Sequence, residues 1–231
     1  MIGASLLTIV VLLAWATVCG VDLVSFPQAM LSRPLVAGTV AGWIAGDLEA
    51  GLRVGVLLEL FALDVLPVGA VRYPDYGAAS VGAAVASAGA PWELSIGVSA
   101  GIGLLLGAFG GWSLQVLRRL NTHAVERAGG ELGRGGFATI RRLHLSAIAR
   151  DLVRSLVLGG VALTVAWLVV RYLRLDRETA TALTLAAVGA GVASAIGGAV
   201  RGAGTNSPRV RWLAAGGVAG LATAAAAWSF R

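Results

Sequence analysis

Two acids in the first third of the chain sit where acids are expensive. Glu59 lies in Val54-Gly55-Val56-Leu57-Leu58-Glu59-Leu60-Phe61-Ala62-Leu63, and Asp75 lies in Arg72-Tyr73-Pro74-Asp75-Tyr76-Gly77. A charged side chain at mid-bilayer costs about 2.5–3.5 kcal/mol on insertion scales, so an ionisable residue in such a run reads as functional by default. A carboxylate facing a wet cavity can accept hydrogen bonds from the hydroxyls of a polyol. The competing account of Glu59 is an ion pair with Arg53 or Arg72. For Asp75 it is an N-cap: proline bars a continuing helix before it, and a capping aspartate accepts backbone amides. Tyr73 and Tyr76 offer ring faces beside Asp75. Gln28, in Phe26-Pro27-Gln28-Ala29-Met30, is an uncharged donor and acceptor that fits a ligand or one end of an interhelical bond. Asp47 and Glu49 read as solvated or capping groups, and Asp64 fits either role.

Other chemistries find little support. Cys19 is the single cysteine, so an intramolecular disulfide and a thiolate metal site are both excluded. His123 and His144 fall in an arginine-rich stretch and form no evident relay. The chain has no G-x-S-x-G, H-E-x-x-H or phosphate-loop pattern. An intramembrane hydrolase needs a nucleophile with a base in reach, and no histidine lies near the serines of the apolar runs, although an aspartate pair stays open. We expect neither an enzyme nor a cofactor or metal.

The elements that must position these residues are set by composition. The chain has 231 residues, of which 57% are hydrophobic and 13% charged, with a mean hydropathy of +0.82. Soluble domains run about 45–50% apolar and about 25% charged. The chain therefore reads as an integral membrane protein, an all-α polytopic helix bundle forming a single domain over 1–231. The first apolar run lacks the basic start of a cleaved signal and reads as a retained helix.

Crossing the hydrocarbon takes about 20 residues at about 1.5 Å each. Candidate spans are Ile2–Cys19, Leu94–Leu117, Ser155–Tyr172, Thr179–Val200 and Val210–Trp228. All 18 cationic residues are arginine, for a net charge of +6. Arg118, Arg119, Arg127, Arg134, Arg141, Arg142, Arg150 and Arg154 crowd between two spans, together with Gly129, Gly130, Gly133, Gly135 and Gly136. Glycine clusters mark loops, and arginine-rich segments beside spans stay cytoplasmic. The segment 118–154 thus reads as a cytoplasmic loop between a front half (1–117) and a back half (155–231). Its apolar residues Leu143, Leu145, Ile148, Leu152 and Leu156 recur near helical spacing, which suits an amphipathic helix at the membrane surface. Without interleaved aromatics the cluster does not suit nucleic acid.

Residues 34–64 differ. Pro34–Gly46 and Gly51–Leu63 are 13 residues each, divided by Asp47-Leu48-Glu49-Ala50. Each covers about 20 Å at helical rise, short of the about 30 Å of hydrocarbon. A broken segment must be buried in protein or line a wet cavity, because lipid cannot satisfy its backbone. Two short interrupted pieces of this kind point to a re-entrant hairpin and a transport site; an ordinary helix pair is the competing reading. Gly38, Gly42 and Gly46, Gly51 and Gly55, and Gly103, Gly107 and Gly111 repeat at four-residue spacing, which lets helix backbones approach closely.

At these residues the sequence resembles the IIC component of mannose-family (mannose, fructose, sorbose) sugar permeases of the bacterial phosphotransferase system. The matching string is Gln28-Ala29-Met30-Leu31-Ser32-Arg33-Pro34-Leu35-Val36, Gly46-Asp47, Gly51, Leu58-Glu59-Leu60, Pro67-Val68-Gly69-Ala70 and Pro74-Asp75. A weaker match runs through Arg119-Leu120-Asn121 and Leu143-His144-Leu145. The resemblance implies a multi-pass subunit of the bacterial cytoplasmic membrane that pairs with a IID membrane subunit. It also implies soluble IIA and IIB partners, which carry phosphohistidine and phosphorylate the sugar, and an elevator-like movement of a core against a scaffold. By position, Glu59 and Asp75 would bind the sugar, with Gln28 as a further member; Tyr73 joins the candidate set through its ring face beside Asp75. Asp64 stands where the family has glycine, and Arg72 adds a charge before Pro74-Asp75. These departures leave open the sugar, homo-oligomerisation, and a non-transporting paralogue with a structural, assembly or sugar-sensing role.

Overall fold

The computed structural model describes residues 5–63, 65, 72–90, 96–134 and 136–201. Every regular element among them is helical: α1 (Leu6–Asp22), α2 (Pro34–Ala45), α3 (Leu48–Ala62), α4 (Tyr76–Gly89), α5 (Ile96–Arg127), α6 (Gly129–Leu132), α7 (Phe137–Tyr172) and α8 (Arg177–Arg201). The expected span Val210–Trp228 lies outside the described residues, as do Asp64 and the Pro67–Ala70 part of the family string.

Among the described residues, three helices are long and apolar enough to cross a bilayer: α5, α7 and the Arg177–Ala199 part of α8. Helix α1 is shorter, with 17 residues. Its N-cap is Ser5, whose side chain accepts from Thr8 N. Helix α4 is the centre of the bundle. Tyr76 through Ala86 are all buried, and the sequence there is almost entirely glycine, alanine and serine, so neighbouring backbones pack directly upon it. Leu12, Ala16 and Cys19 of α1, Ala37 and Ala41 of α2, and Leu158, Ala162 and Ala166 of α7 close around it.

The hairpin forms as its glycines dictate. Helices α2 and α3 have 12 and 15 residues, about 18 and 22 Å at helical rise against about 30 Å of hydrocarbon. A Cβ on Gly42 would lie 2.6 Å from Gly51 Cα, a contact that only paired glycines permit. The turn uses Gly46 at φ 90°, and Asp47 caps α3 by accepting from Ala50 N at 2.9 Å. Glu49 is exposed and pairs with Arg53. The acids at this turn therefore do the capping and solvated work expected of them, and Arg53 is engaged away from Glu59.

The arginine-rich segment is not the loop that its glycines suggest. Helix α5 continues through Arg127, α6 follows, and α7 starts at Phe137 and runs unbroken to Tyr172. Most of 118–154 is thus helical, with the chain reversing within 128–136. Glycine weakens a helix by roughly 1 kcal/mol per residue, which sets where the chain turns. It does not decide how far the flanking helices, rich in arginine, leucine and alanine, extend. The surface helix expected around Leu143–Leu156 is the first part of α7 itself.

Candidate functional site

The connection between α1 and α2 is shaped by an acid that sequence reasoning missed. Asp22 ends α1, is 2% exposed, and accepts from Ala29 N at 2.6 Å and Ser32 N at 2.9 Å. On either side of Ala29, Gln28 and Met30 adopt φ of 58° and 64°, left-handed conformations that cost a non-glycine residue roughly 1–2 kcal/mol. Two charge-assisted bonds to one carboxylate hold this shape. The available signal was an acid at the very end of an apolar helix.

A cavity of about 500 Å³ opens beside this loop. Its walls include Asp22, Gln28, Ser32, Arg33, Tyr73 and Tyr76. Small-ligand sites typically occupy about 300–1,000 Å³, and this cavity falls within that range. Two of the four expected site residues, Gln28 and Tyr73, line it. The amide of Gln28 is exposed, with Nε2 donating to Val24 O at 3.2 Å.

Glu59 stands one contact behind the wall. Its carboxylate pairs with Arg33 and accepts from Leu35 N at 3.1 Å. Arg33, the N-cap residue of α2, makes no side-chain cap of its own. Glu59 thus places negative charge at an uncapped helix N-terminus, where orphan amides and the helix dipole favour it. The partner is Arg33, not Arg53 or Arg72. The pair is partly open, with 18% of the Glu59 side chain and 38% of Arg33 exposed.

Asp75 does not reach the cavity. It is fully buried, accepts from Gly77 N at 3.2 Å as the N-cap of α4, and pairs with Arg154 of α7 at 2.8 Å. The correction has a simple cause: Pro74 ends the preceding segment, so Asp75 turns inward to cap the central helix while Tyr73 and Pro74 face the cavity. This wall leans on α5, with Asp75 N donating to Gly107 O at 2.9 Å. A Cβ on Gly111 would meet Tyr73 O at 2.4 Å. Arg118 closes the back of Tyr73, with Nη2 donating to the phenol oxygen at 2.9 Å.

Arg154, also missed, is the hub behind the wall. Nε donates to Asp151 Oδ1, Nη1 to Asp75 Oδ2 and Ser113 Oγ, and Nη2 to Gly20 O and Ser155 Oγ. All five guanidinium donors are therefore engaged. Asp151 in turn accepts from Ser25 Oγ. One arginine thus binds α1, α4, α5 and α7 together. It stood in the sequence as one of many basic residues in a presumed loop, and nothing marked it out. His123 is exposed beside Glu126, away from this site.

The family model described as "PTS system sorbose-specific iic component" matches residues 6–201. Among curated proteins, a sorbose-specific EIIC component of Klebsiella pneumoniae is 34% identical over 148 residues, 62% of this chain and 53% of that protein. A fructose permease IIC component of Bacillus subtilis is 30% identical over 154 residues, 66% of this chain and 56% of that protein. A mannose-specific EIIC component of Escherichia coli is 28% identical over 123 residues, 53% of this chain and 45% of that protein. The chain spans about half the length of the curated relatives it matches. Among solved structures, one described as a membrane protein superposes with a TM-score of 0.70 at 22% identity, covering 98% of this chain and 97% of that one. A cryo-EM structure of the mannose transporter ManYZ with microcin E492 gives 0.62 at 23% identity, covering 96% of this chain and 87% of that one. These structural likenesses establish the shared fold.

Proposed function

The chain belongs to the sorbose-specific IIC family of the phosphotransferase system, and from that premise we propose that it is the membrane subunit through which a hexose-type sugar crosses the bilayer. The observation that carries the reading is the cavity of about 500 Å³ beside a hairpin too short to span. Interrupted helices beside a cavity are where transporters bind their cargo.

In this reading sugar hydroxyls exchange bonds with the amide of Gln28 and the hydroxyl of Ser32, and the ring of Tyr73 packs against the pyranose face. Arg33 supplies a charged donor at the cavity wall, and Glu59 holds it from one contact behind. Asp75 acts one layer back by fixing Tyr73 and Pro74. The chain pairs with a IID membrane subunit in the bacterial cytoplasmic membrane. Phosphoryl transfer resides in the IIA and IIB proteins, which meet the basic α5–α7 end on the cytoplasmic side.

Both acids of the original pair meet guanidinium groups, which favours a second reading in which they serve only to join helices in a non-transporting subunit. The open rim of the Arg33–Glu59 pair separates the two. Glu59→Gln keeps the shape and removes the charge. A bound sugar that relies on it loses roughly 1.5–3 kcal/mol, about a ten- to hundred-fold weakening, with insertion and thermal midpoint nearly unchanged. Calorimetric titration and uptake in cells supplying the partner subunits measure this. Undiminished binding and uptake in Glu59→Gln remove it from the site, and absence of any sugar binding by wild-type assemblies favours the second reading.

A further inference from the structure

A second cavity, also about 500 Å³, lies between α5 and α7 on the far side of Arg154. Trp112, Val116, Leu117 and Leu120 form one wall, and Ala149 and Val153 the other, with Arg150 at the edge. Trp112 is 62% exposed, and Leu120 and Val153 are exposed beside it. The groove is apolar apart from its arginines and Ser113, whose hydroxyl is bonded to Gly110 O and Arg154, and Arg154 has spent its donors inside the protein. Arg150 differs: it donates one Nη1 bond to Asn121 Oδ1 at 2.8 Å, which fixes its stem and leaves further donors of its fork for another acceptor.

Two independent counts place this groove in the bilayer. Starting at Ile96, about 20 residues of α5 exhaust the hydrocarbon near Gln115. Counting back about 20 residues from Tyr172, α7 leaves it near Val153. The groove therefore straddles the boundary between acyl chains and headgroups. Trp112 sits where amphipathic aromatics anchor helices. Beyond the boundary, residues 118–154 carry eight arginines against three acids.

We propose that the α5–α7 groove is a binding site for an anionic phospholipid, with an acyl chain along Trp112, Val116, Leu120 and Val153 and the phosphate on Arg150. Basic pockets between helices at the cytoplasmic boundary recognise such headgroups, and an apolar slot open to the bilayer fills with acyl chain. The surrounding excess of arginine selects an anionic over a zwitterionic headgroup by long-range attraction. This inference stands apart from the sugar-binding reading.

The test uses the full chain, purified and delipidated, then equilibrated with equal amounts of phosphatidylglycerol and phosphatidylethanolamine of identical acyl chains and weighed intact by native mass spectrometry. Wild type retains phosphatidylglycerol about five-fold over phosphatidylethanolamine, as one arginine near the surface supplies. Arg150→Gln brings the two toward parity, and Arg150→Lys keeps part of the preference. Val153→Trp fills the slot and lowers retention of both lipids, which decides the matter should Arg150→Gln not fold. Equal retention by the wild type overturns the proposal. So does an unchanged preference in Arg150→Gln together with undiminished lipid retention in Val153→Trp, or a photo-crosslink from position 116 in native membranes that captures protein and not lipid.

Discussion

Arg154 and Asp75 are 79 positions apart in sequence and 2.8 Å apart in space, Nη1 to Oδ2, with 8% and 0% of their side chains exposed. Asp75 caps the central helix α4, and Arg154 belongs to the long helix α7. Their contact ties the wall of the candidate sugar cavity to the outer bundle.

Breaking that pair from one side strands a buried charge. Arg154→Met leaves Asp75 and Asp151 without their cation, a loss of the order of 3–5 kcal/mol for buried pairs. The measurement is the thermal midpoint of the purified chain. Adding Asp75→Asn to Arg154→Met should recover part of the loss, because the stranded carboxylate is gone. Strictly additive midpoints would show that the two residues are not coupled.

The hairpin depends on backbone contact at Gly42. A Cβ there meets Asp47 O and Gly51 Cα at 2.6 Å, and both are backbone atoms that cannot swing aside. Gly42→Ala should cost at least the roughly 1–3 kcal/mol of an overpacked core, read as a lower thermal midpoint. Gly160→Ala, with nothing within 4 Å of its new Cβ, is the control and should be neutral or slightly stabilising. Equal effects at the two positions would contradict the packing.

Cys19 reports on unfolding of the bundle. It is buried in the core between α1 and α4, and it is the chain's single thiol. A maleimide should leave the folded protein unlabelled and react stoichiometrically across the thermal transition. Rapid labelling well below the transition would place α1 away from α4.

Outside the spans, Asp176 starts α8. It accepts from Thr179 N at 2.8 Å and Thr179 Oγ1 at 2.9 Å, and these bonds hold its pKa below the ordinary carboxylate value. A depressed folded value means that the cap acts fully above the unfolded value of about 3.9. Its contribution fades as pH falls through the folded value. Hydrogen exchange in a peptide covering 173–182, corrected for intrinsic rate, should lose protection in Asp176→Ala at neutral pH and lose a smaller part of it in Asp176→Asn, which keeps an acceptor but not the charge. In wild type the same protection should decline below about pH 4, and a pH-independent profile would remove Asp176 as the cap.

Composition and apolar run length were enough to establish an α-helical membrane bundle. The hairpin was legible too, because Gly38, Gly42, Gly51 and Gly55 with Asp47 between them encode close approach and a turn by local rules. Of the site, Gln28 and Tyr73 were found at the cavity, and Glu59 was found one contact away from it. The length of α5 and α7 was not legible, since glycines signal where a turn can occur and leave open how far the flanking helices run.

Local chemistry settled that the chain is a helical membrane protein, where the short hairpin turns, and that Glu59 and Asp75 needed partners. Only the tertiary structure decided who those partners are. An acid in an apolar helix must be satisfied, but any arginine of the 18 is equally eligible by sequence. Packing through α4 brought Arg154 to Asp75 and the start of α2 brought Arg33 to Glu59, because the energy of a charge pair depends on distance in space and burial, neither of which is written in the order of residues.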